Sequence, residues 1–219
     1  MGKEIDLLIN YPKTKRDTSA RASEKNDEVR SIARKFDIEF FDSDRKYGYG
    51  GFSYNKKFWS PVVPTFQKYW GLKLSNSVLD VGCAKGFMIY DFLQQIPGLK
   101  IRGIDISNYA IENAKQEVKE RVSVANANNL PFENDTFDYV ISINTIHNLE
   151  LNECKKALRE IQRVSRISSF ITVDAYTNES EKQKMFEWNL TAKTILSVEE
   201  WKNVFKEVGY TGDYYWFMP

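Results

Sequence analysis

Val78-Leu79-Asp80-Val81-Gly82-Cys83-Ala84-Lys85-Gly86-Phe87 joins a short apolar run to an acidic residue and a turn of small residues. A strand buried on both faces reads as a continuous apolar run, and the residues from about Phe87 to Gln95 then repeat with helical periodicity. Small residues at 82, 84 and 86 let backbone N–H groups approach a ligand closely at a helix N-terminus. The stretch therefore predicts a strand, a ligand-facing turn and a helix.

The spacing separates two nucleotide-type ligands. The dinucleotide fingerprint G-x-G-x-x-G/A would put its last small residue at position 87, which is Phe. The third small residue stands at 86, giving G-x-G-x-G with Ala84 in the middle, which resembles motif I of the class I S-adenosylmethionine-dependent methyltransferases. Two further segments keep that register. Lys100-Ile101-Arg102-Gly103-Ile104-Asp105-Ile106-Ser107 reads as a second strand ending in an acid, at the distance where a carboxylate accepts both ribose hydroxyls of an adenosine. Asn126-Ala127-Asn128-Asn129-Leu130-Pro131-Phe132, followed by Phe137-Asp138-Tyr139-Val140-Ile141-Ser142-Ile143-Asn144, is similar to the adenine-contacting loop and fourth strand of that family. The resemblance covers roughly residues 72 to 175 and is closest to small-molecule enzymes of the broad methyltransferase 11 type.

Elements alternate along the chain: strand 77 to 82, helix 86 to 95, strand 100 to 105, helix 107 to 119, strands 121 to 125 and 137 to 143, helix 152 to 165, strand 168 to 174. Alternation predicts an α/β chain with a doubly wound parallel sheet. The resemblance implies a Rossmann-like class I methyltransferase domain over residues 59–219, with helices on both faces, preceded by a helical and aromatic lid extension over 1–58. It also implies S-adenosyl-L-methionine as cofactor. Gly82, Cys83, Ala84 and Gly86 would then face its methionyl part through backbone groups, and Asp80 would fix the loop or reach the amino group. Asp105 would hold the ribose, Asn126 would accept from the adenine amino group, and Ile106, Ala127 and Asn144 complete the cofactor set. Two of these have plain alternatives: Asp105 as the cap of the following helix, and Asn126 as a turn residue.

Methyl transfer from a sulfonium is an in-line displacement, so the protein must align the acceptor, exclude water and remove a proton when the acceptor is a hydroxyl. His147, the only histidine, lies just beyond the fourth strand, where doubly wound sheets place ligands. It reads either as the base or as a hydrogen-bonded structural residue. The stretch Arg45-Lys46-Tyr47-Gly48-Tyr49-Gly50-Gly51-Phe52-Ser53-Tyr54 reads as an acceptor lid that offers Tyr47 and Tyr49 to the reaction, or as a surface loop packed on the first helix. Arg45, Lys46, Lys56 and Lys57 are positioned to pair with an anionic acceptor group or to be solvated.

Toward the ends, residues 1 to about 18 are polar and expected to be mobile, and Ser19 to Lys35 reads as an accessory helix. Ser60-Pro61 reads as a helix start and Gly71 as its stop. Ser197 and Glu200 form a capping box for a helix that Gly209 ends. Only Tyr210 to Pro219 follows, room for one of the two antiparallel strands with which the family closes its sheet. The seventh strand is then missing or comes from residues near 187 to 195. Trp188, Met185, Phe186 and Leu190 recur at helical spacing and predict core packing.

The 219 residues, 42% of them hydrophobic, suit one α/β domain with an extension. With 31 basic against 30 acidic residues there is no general field for nucleic acid or an anionic membrane, and the partner expected is a small-molecule methyl acceptor. Cys83 and Cys154 fit a reducing compartment, no apolar run reaches membrane-spanning length, and no His/Cys cluster has metal-ligand spacing, so a cytoplasmic protein without a metal is expected. The fourth strand ends in Ser-Ile-Asn-Thr, not the Asn/Asp-Pro-Pro-Tyr of enzymes that methylate nucleobase or glutamine amino groups. The leading expectation is O-methylation of a small polar metabolite, with a sugar or nucleotide-linked precursor of a surface glycan as one acceptor. Small-amine N-methylation and a non-catalytic binding module are the alternatives, and a nicotinamide oxidoreductase comes last.

Overall fold

Seven strands, every pair of them parallel, make the sheet in the computed structural model of the chain, which describes residues 2–13, 22, 25–50 and 52–218. The strands are β1 (Ser77–Val81), β2 (Lys100–Asp105), β3 (Val122–Val124), β4 (Phe137–Ile143), β5 (Ser165–Tyr176), β6 (Leu196–Ser197) and β7 (Asp213–Phe217). They run β3-β2-β1-β4-β5; β7 lies along β5 over Phe170–Asp174, and the short β6 pairs with Ala175 and Tyr176 at its carboxyl end. The helices are α1 (Asp27–Ala33), α2 (Ile38–Asp42), α3 (Lys56–Trp59), α4 (Val63–Trp70), α5 (Phe87–Gln95), α6 (Asn108–Glu112), α7 (Leu151–Val164), α8 (Glu179–Trp188) and α9 (Val198–Val208).

Parallel strands expose both faces, and each face here has its own apolar layer. Val78, Ile101, Tyr139, Ile141 and Phe170 meet α4 and α5 through Val63, Phe66, Ile89 and Phe92. The alternate positions Leu79, Val81, Ile104, Val140, Ile171 and Val173 meet α7 and α9 through Leu158, Ile161, Trp201 and Phe205. The period-2 alternation of strand side chains thus assigns each residue its layer, and it places Asp80 on the α5 side with Val78. At the start of β4, buried Asp138 accepts from Ser77 N (2.9 Å) and pairs with Arg166, tying β1, β4 and β5 together.

Several expected boundaries shift for local reasons. The helix expected over 107 to 119 is α6 followed by a 3-10 turn over Gln116–Arg121, because the chain breaks at Asn113 and Lys115 N turns back to Lys85 O at 3.0 Å. Ser60 does not start a helix: Asn55 caps α3, Ser60 ends it, and α4 begins after Val62 without a side-chain cap and stops at left-handed Gly71. The Ser197/Glu200 capping box and left-handed Gly209 bound α9 as expected. The accessory helix begins at Asp27, capped by Asn26; residues 19–21, 23 and 24 lie outside the described residues.

Both edges of the C-terminal half depart from expectation. No two strands pair antiparallel among the described residues; β7 pairs directly with β5 in parallel, from Phe170↔Asp213 to Asp174↔Phe217. Residues 187 to 195 supply no strand: they finish α8 and turn, and the next strand is the two-residue β6. Residues 2–13 are not loose, because Glu4 bridges Tyr214 in parallel, Lys3 N donates to Asp213 Oδ1 (2.8 Å), and Leu7 is fully buried; residues 1 and 14–18 lie outside the described residues.

Candidate functional site

The carboxyl ends of β1 to β5 carry the candidate residues, and the loop after β1 is the most constrained of them. Gly82, Ala84 and Gly86 all have positive φ (88°, 48° and 74°), so the chain alternates through the left-handed region. A Cβ on Gly82 would lie 2.1 Å from Thr145 Oγ1, which leaves no room for any other residue. The loop N–H groups turn inward. Those of Gly82 and Cys83 donate to Ile104 O (2.7 and 2.9 Å), that of Ala84 to Asp105 Oδ2 (2.8 Å), and that of Gly86 to Cys83 O (2.9 Å). The small residues were expected to offer N–H groups to a ligand; those of Gly82, Cys83, Ala84 and Gly86 are bonded within the protein. Such a loop is a poor cradle for a pyrophosphate and suits a ligand part that is cationic.

Two buried carboxylates flank it. Asp105 accepts from Ala84 N through Oδ2 and from Ser107 N through Oδ1 (2.9 Å); burial raises its pKa, and these backbone bonds oppose the rise. Ser107, not Asp105, caps α6, its hydroxyl accepting from Ala110 N at 2.9 Å. Asp80 accepts no hydrogen bond from any described residue. Burial first, and then the charge of Asp105, push its pKa up to about 8. The Cys83 thiol is pushed well up by burial and by the same two acids, so it stays protonated and unreactive.

A buried acid that ionises only near pH 8 lowers stability as pH rises. Below about pH 4 folded and unfolded states both hold the proton; between there and pH 8 the unfolded state releases it while the fold does not, so stability falls. Asp80→Asn is expected to remove that decline, leaving the variant equal to the parent at pH 4 and more stable by a few kcal/mol at pH 8 (~1.4 kcal/mol per pKa unit, discounted for relaxation). Thermal unfolding across pH 4 to 8 checks this, and parallel curves for the two proteins would refute it.

The other candidates divide. Ile106 is 52% exposed directly beside Asp105, an apolar side chain held open at the mouth of the loop. Ala127 is buried, and Asn126 Oδ1 accepts from Asn128 N (3.2 Å), which is its turn role. Asn144 has φ 50° at the end of β4; its N–H donates to Thr172 Oγ1 (3.0 Å) and its Oδ1 accepts from that hydroxyl (2.8 Å). His147 is buried, and its Nδ1 accepts from Asp174 N at 2.9 Å. That bond puts the ring proton on Nε2. Burial lowers the His147 pKa against the pull of Asp174, so although Nδ1 lies 3.5 Å from Asp174 Oδ1 the ring stays neutral and the contact is no ion pair. Tyr49 accepts from Leu190 N (2.8 Å) and Thr191 N (3.3 Å), and burial raises its pKa. Tyr47 and Tyr49 pack with Phe40 against Val29, Ala33 and Leu190, the packing on the first helix that was the plainer reading of this stretch. Lys46 lies over the Tyr47 ring (4.8 Å) and Lys57 over Phe58 (4.9 Å).

Sequence reasoning missed Asp174, which stands at the carboxyl end of β5 beside His147 and whose carbonyl accepts from Trp201 Nε1 at 2.9 Å. An acid ending a fifth strand was a readable signal. It also missed Asp42, which holds Lys85 from outside the sheet.

A family profile described as a methyltransferase domain matches residues 78–167, the span from β1 through α7. Residues 78–167 thus match a methyltransferase domain. Over 145 residues it is 35% identical to a tRNA (carboxymethyluridine(34)-5-O)-methyltransferase of Arabidopsis thaliana, covering 64% of this chain and 33% of that one. Over 115 residues it is 30% identical to norajmaline N-methyltransferase of Rauvolfia serpentina, covering 49% and 38%. The chain thus spans about a third of the length of these curated relatives. Among solved structures, an N-methyltransferase of Haemonchus contortus in complex with phosphomonomethylethanolamine and S-adenosylhomocysteine shares the fold, with a TM-score of 0.55, 19% identity, and coverage of 88% of this chain and 44% of that one. Around this methyltransferase domain, no described helix is long and apolar enough to cross a membrane.

Proposed function

We propose that the chain binds S-adenosylmethionine at the carboxyl ends of β1 to β3 and transfers its methyl group to a small polar acceptor held between β4, β5 and the segment 36–50. One observation carries the reading: the N–H groups of Gly82, Cys83, Ala84 and Gly86 are bonded within the protein while two buried carboxylates flank the loop. An adenosine joined to a cationic amino acid matches those two acids, Asp105 for the ribose hydroxyls and Asp80 for the ammonium, whereas a pyrophosphate matches neither. Ile106 supplies an apolar surface for the adenine, and Asn144 shapes the end of β4 beside it.

The bound cofactor supplies an electrophilic methyl carbon on a sulfonium. The chain's own residues align the acceptor lone pair with it and exclude water. A hydroxyl acceptor needs a base, and the side chains expected to serve are engaged otherwise: His147 Nδ1 accepts from a backbone N–H, and the Tyr49 hydroxyl accepts two. His147 therefore positions the end of β5, with its Nε2–H available to orient an acceptor. This arrangement favours a neutral amine, which attacks with its own lone pair and gives its proton to water afterwards, over the hydroxyl acceptor first expected.

Calorimetric titration with S-adenosylmethionine, S-adenosylhomocysteine and NAD tests the cofactor assignment. Binding of the two sulfur nucleotides without NAD is expected; NAD binding alone overturns the reading. With cofactor bound, turnover of small primary and secondary amines is expected to survive His147→Ala to within about tenfold. A loss of about a thousandfold on a hydroxyl acceptor would restore the histidine as base.

A further inference from the structure

Lys85 has no part in the site just described, yet it sits inside the glycine loop, between Ala84 and Gly86, and is 6% exposed. A lysine ammonium withdrawn from water is costly unless it is fully paired. Its partners come from outside the sheet: Nζ lies 2.5 Å from both carboxylate oxygens of Asp42, at the end of α2, and donates to Phe52 O at 3.0 Å. The hydroxyl of Tyr109, the second residue of α6, donates to the same Asp42 carboxylate at 2.8 Å. Ser107 closes the set by donating its hydroxyl proton to Phe36 O at 2.5 Å. Residues 36–50 are therefore fastened, with Phe52, to the loop after β1 and to the first residues after β2, the two places that frame Asp105.

The other side of this segment is fastened too. The Tyr49 hydroxyl accepts from Leu190 N, so the segment spans from the cofactor loop to the turn following α8. Nothing in the packing of the sheet calls for a lysine at position 85, whose neighbours are chosen for small size. What the lysine adds is a grip on the covering segment.

We propose that Lys85 is a positioning residue and that its pair with Asp42 is a latch, by which the loop that receives the cofactor also holds the covering segment shut. This rests on the S-adenosylmethionine reading of that loop. Cofactor enters and leaves when Asp42 lets go, and since Tyr49 belongs to the same segment, release at Lys85 also loosens the acceptor side. The two ligands are thus gated by one contact, and the spent cofactor departs only after the segment swings away.

The test uses the full chain with Asp42→Asn, and Lys85→Met beside it. Backbone hydrogen exchange is measured without any ligand, and dissociation of S-adenosylhomocysteine by rapid displacement. In Asp42→Asn, amides of residues 38–48 are expected to exchange about tenfold faster while those of α5 keep the parent rate, and S-adenosylhomocysteine is expected to leave about tenfold faster. Unchanged exchange at 38–48 in a folded Asp42→Asn overturns the latch. So does equal loosening of α5, since the pair would then only hold the structure together. Should Lys85→Met fail to fold, Asp42→Asn decides alone, because the Asp42 side chain is itself partly in water and the amide oxygen that replaces it still accepts from Lys85 Nζ. If the parent protein binds no S-adenosylhomocysteine, the cofactor reading fails while the exchange measurement still decides the latch.

Discussion

Asp105→Ala is expected to weaken S-adenosylmethionine binding by about a hundredfold while the protein stays folded. An ionised carboxylate offers about four acceptor positions, and this one spends two on Ala84 N and Ser107 N. The remaining two are aimed by those same bonds, so the group meets the ribose hydroxyls without rearranging. Truncation removes two charge-assisted bonds, about 2 to 3 kcal/mol, and also frees the Ala84 N–H that holds the loop in its left-handed turn. Asp105→Asn is expected to be nearly as damaging, because its amide group would face one of the two backbone donors. Calorimetric affinity together with thermal unfolding checks both variants; unchanged affinity in a folded Asp105→Ala would remove this acid from the site.

Gly82→Ala is expected to cost about 3 kcal/mol or more of stability and to abolish cofactor binding. Two separate penalties add. Holding a non-glycine residue at φ 88° costs roughly 1 to 2 kcal/mol, and the new Cβ would sit 2.1 Å from Thr145 Oγ1 and 2.4 Å from its Cγ2. Thr145 cannot yield freely, because its hydroxyl donates to Ile143 O at 3.0 Å. Combining Gly82→Ala with Thr145→Ala should recover part of the steric cost, the Cβ of residue 145 still lying 2.7 Å away, and leave the backbone part, so the double variant is expected to fall between Gly82→Ala and the parent in unfolding temperature. A single variant as stable as the parent would mean that the loop is not confined in this way.

The acids at the ends of β1 and β2 and the turn between them were legible because their signals are local. An apolar run, an acid and small residues at alternate positions lie within ten consecutive residues, and the capping box of α9 within four. What the sequence concealed depends on partners far away. The Lys85–Asp42 pair joins positions 43 apart, and the tautomer of His147 is set by a backbone N–H 27 positions later. Neither leaves a periodicity to read. The break after α6 was hidden for a similar reason: 107 to 119 has helical composition, but a backbone bond from Lys115 to Lys85 outweighs propensity there. The parallel β7 was missed because the family pattern, a closing antiparallel pair, was the only guide available for so short a remainder.

The edge built by β7 has a kinetic consequence. Lys3 and Asp213 are 210 positions apart, and Glu4 and Tyr214 meet beside them. Contacts of such separation cannot assist the early collapse of β1, β2 and β4, whose pairings are closer in the chain, so they belong to the late stage of folding. Until Asp213–Phe217 has docked, the outer side of β5 presents unpaired peptide groups along an apolar strand, and until the residues near Glu4 follow, β7 does so in its place, the kind of surface that recruits neighbouring chains. The slowest-forming border of the sheet is therefore also where a folding failure would pass into aggregation.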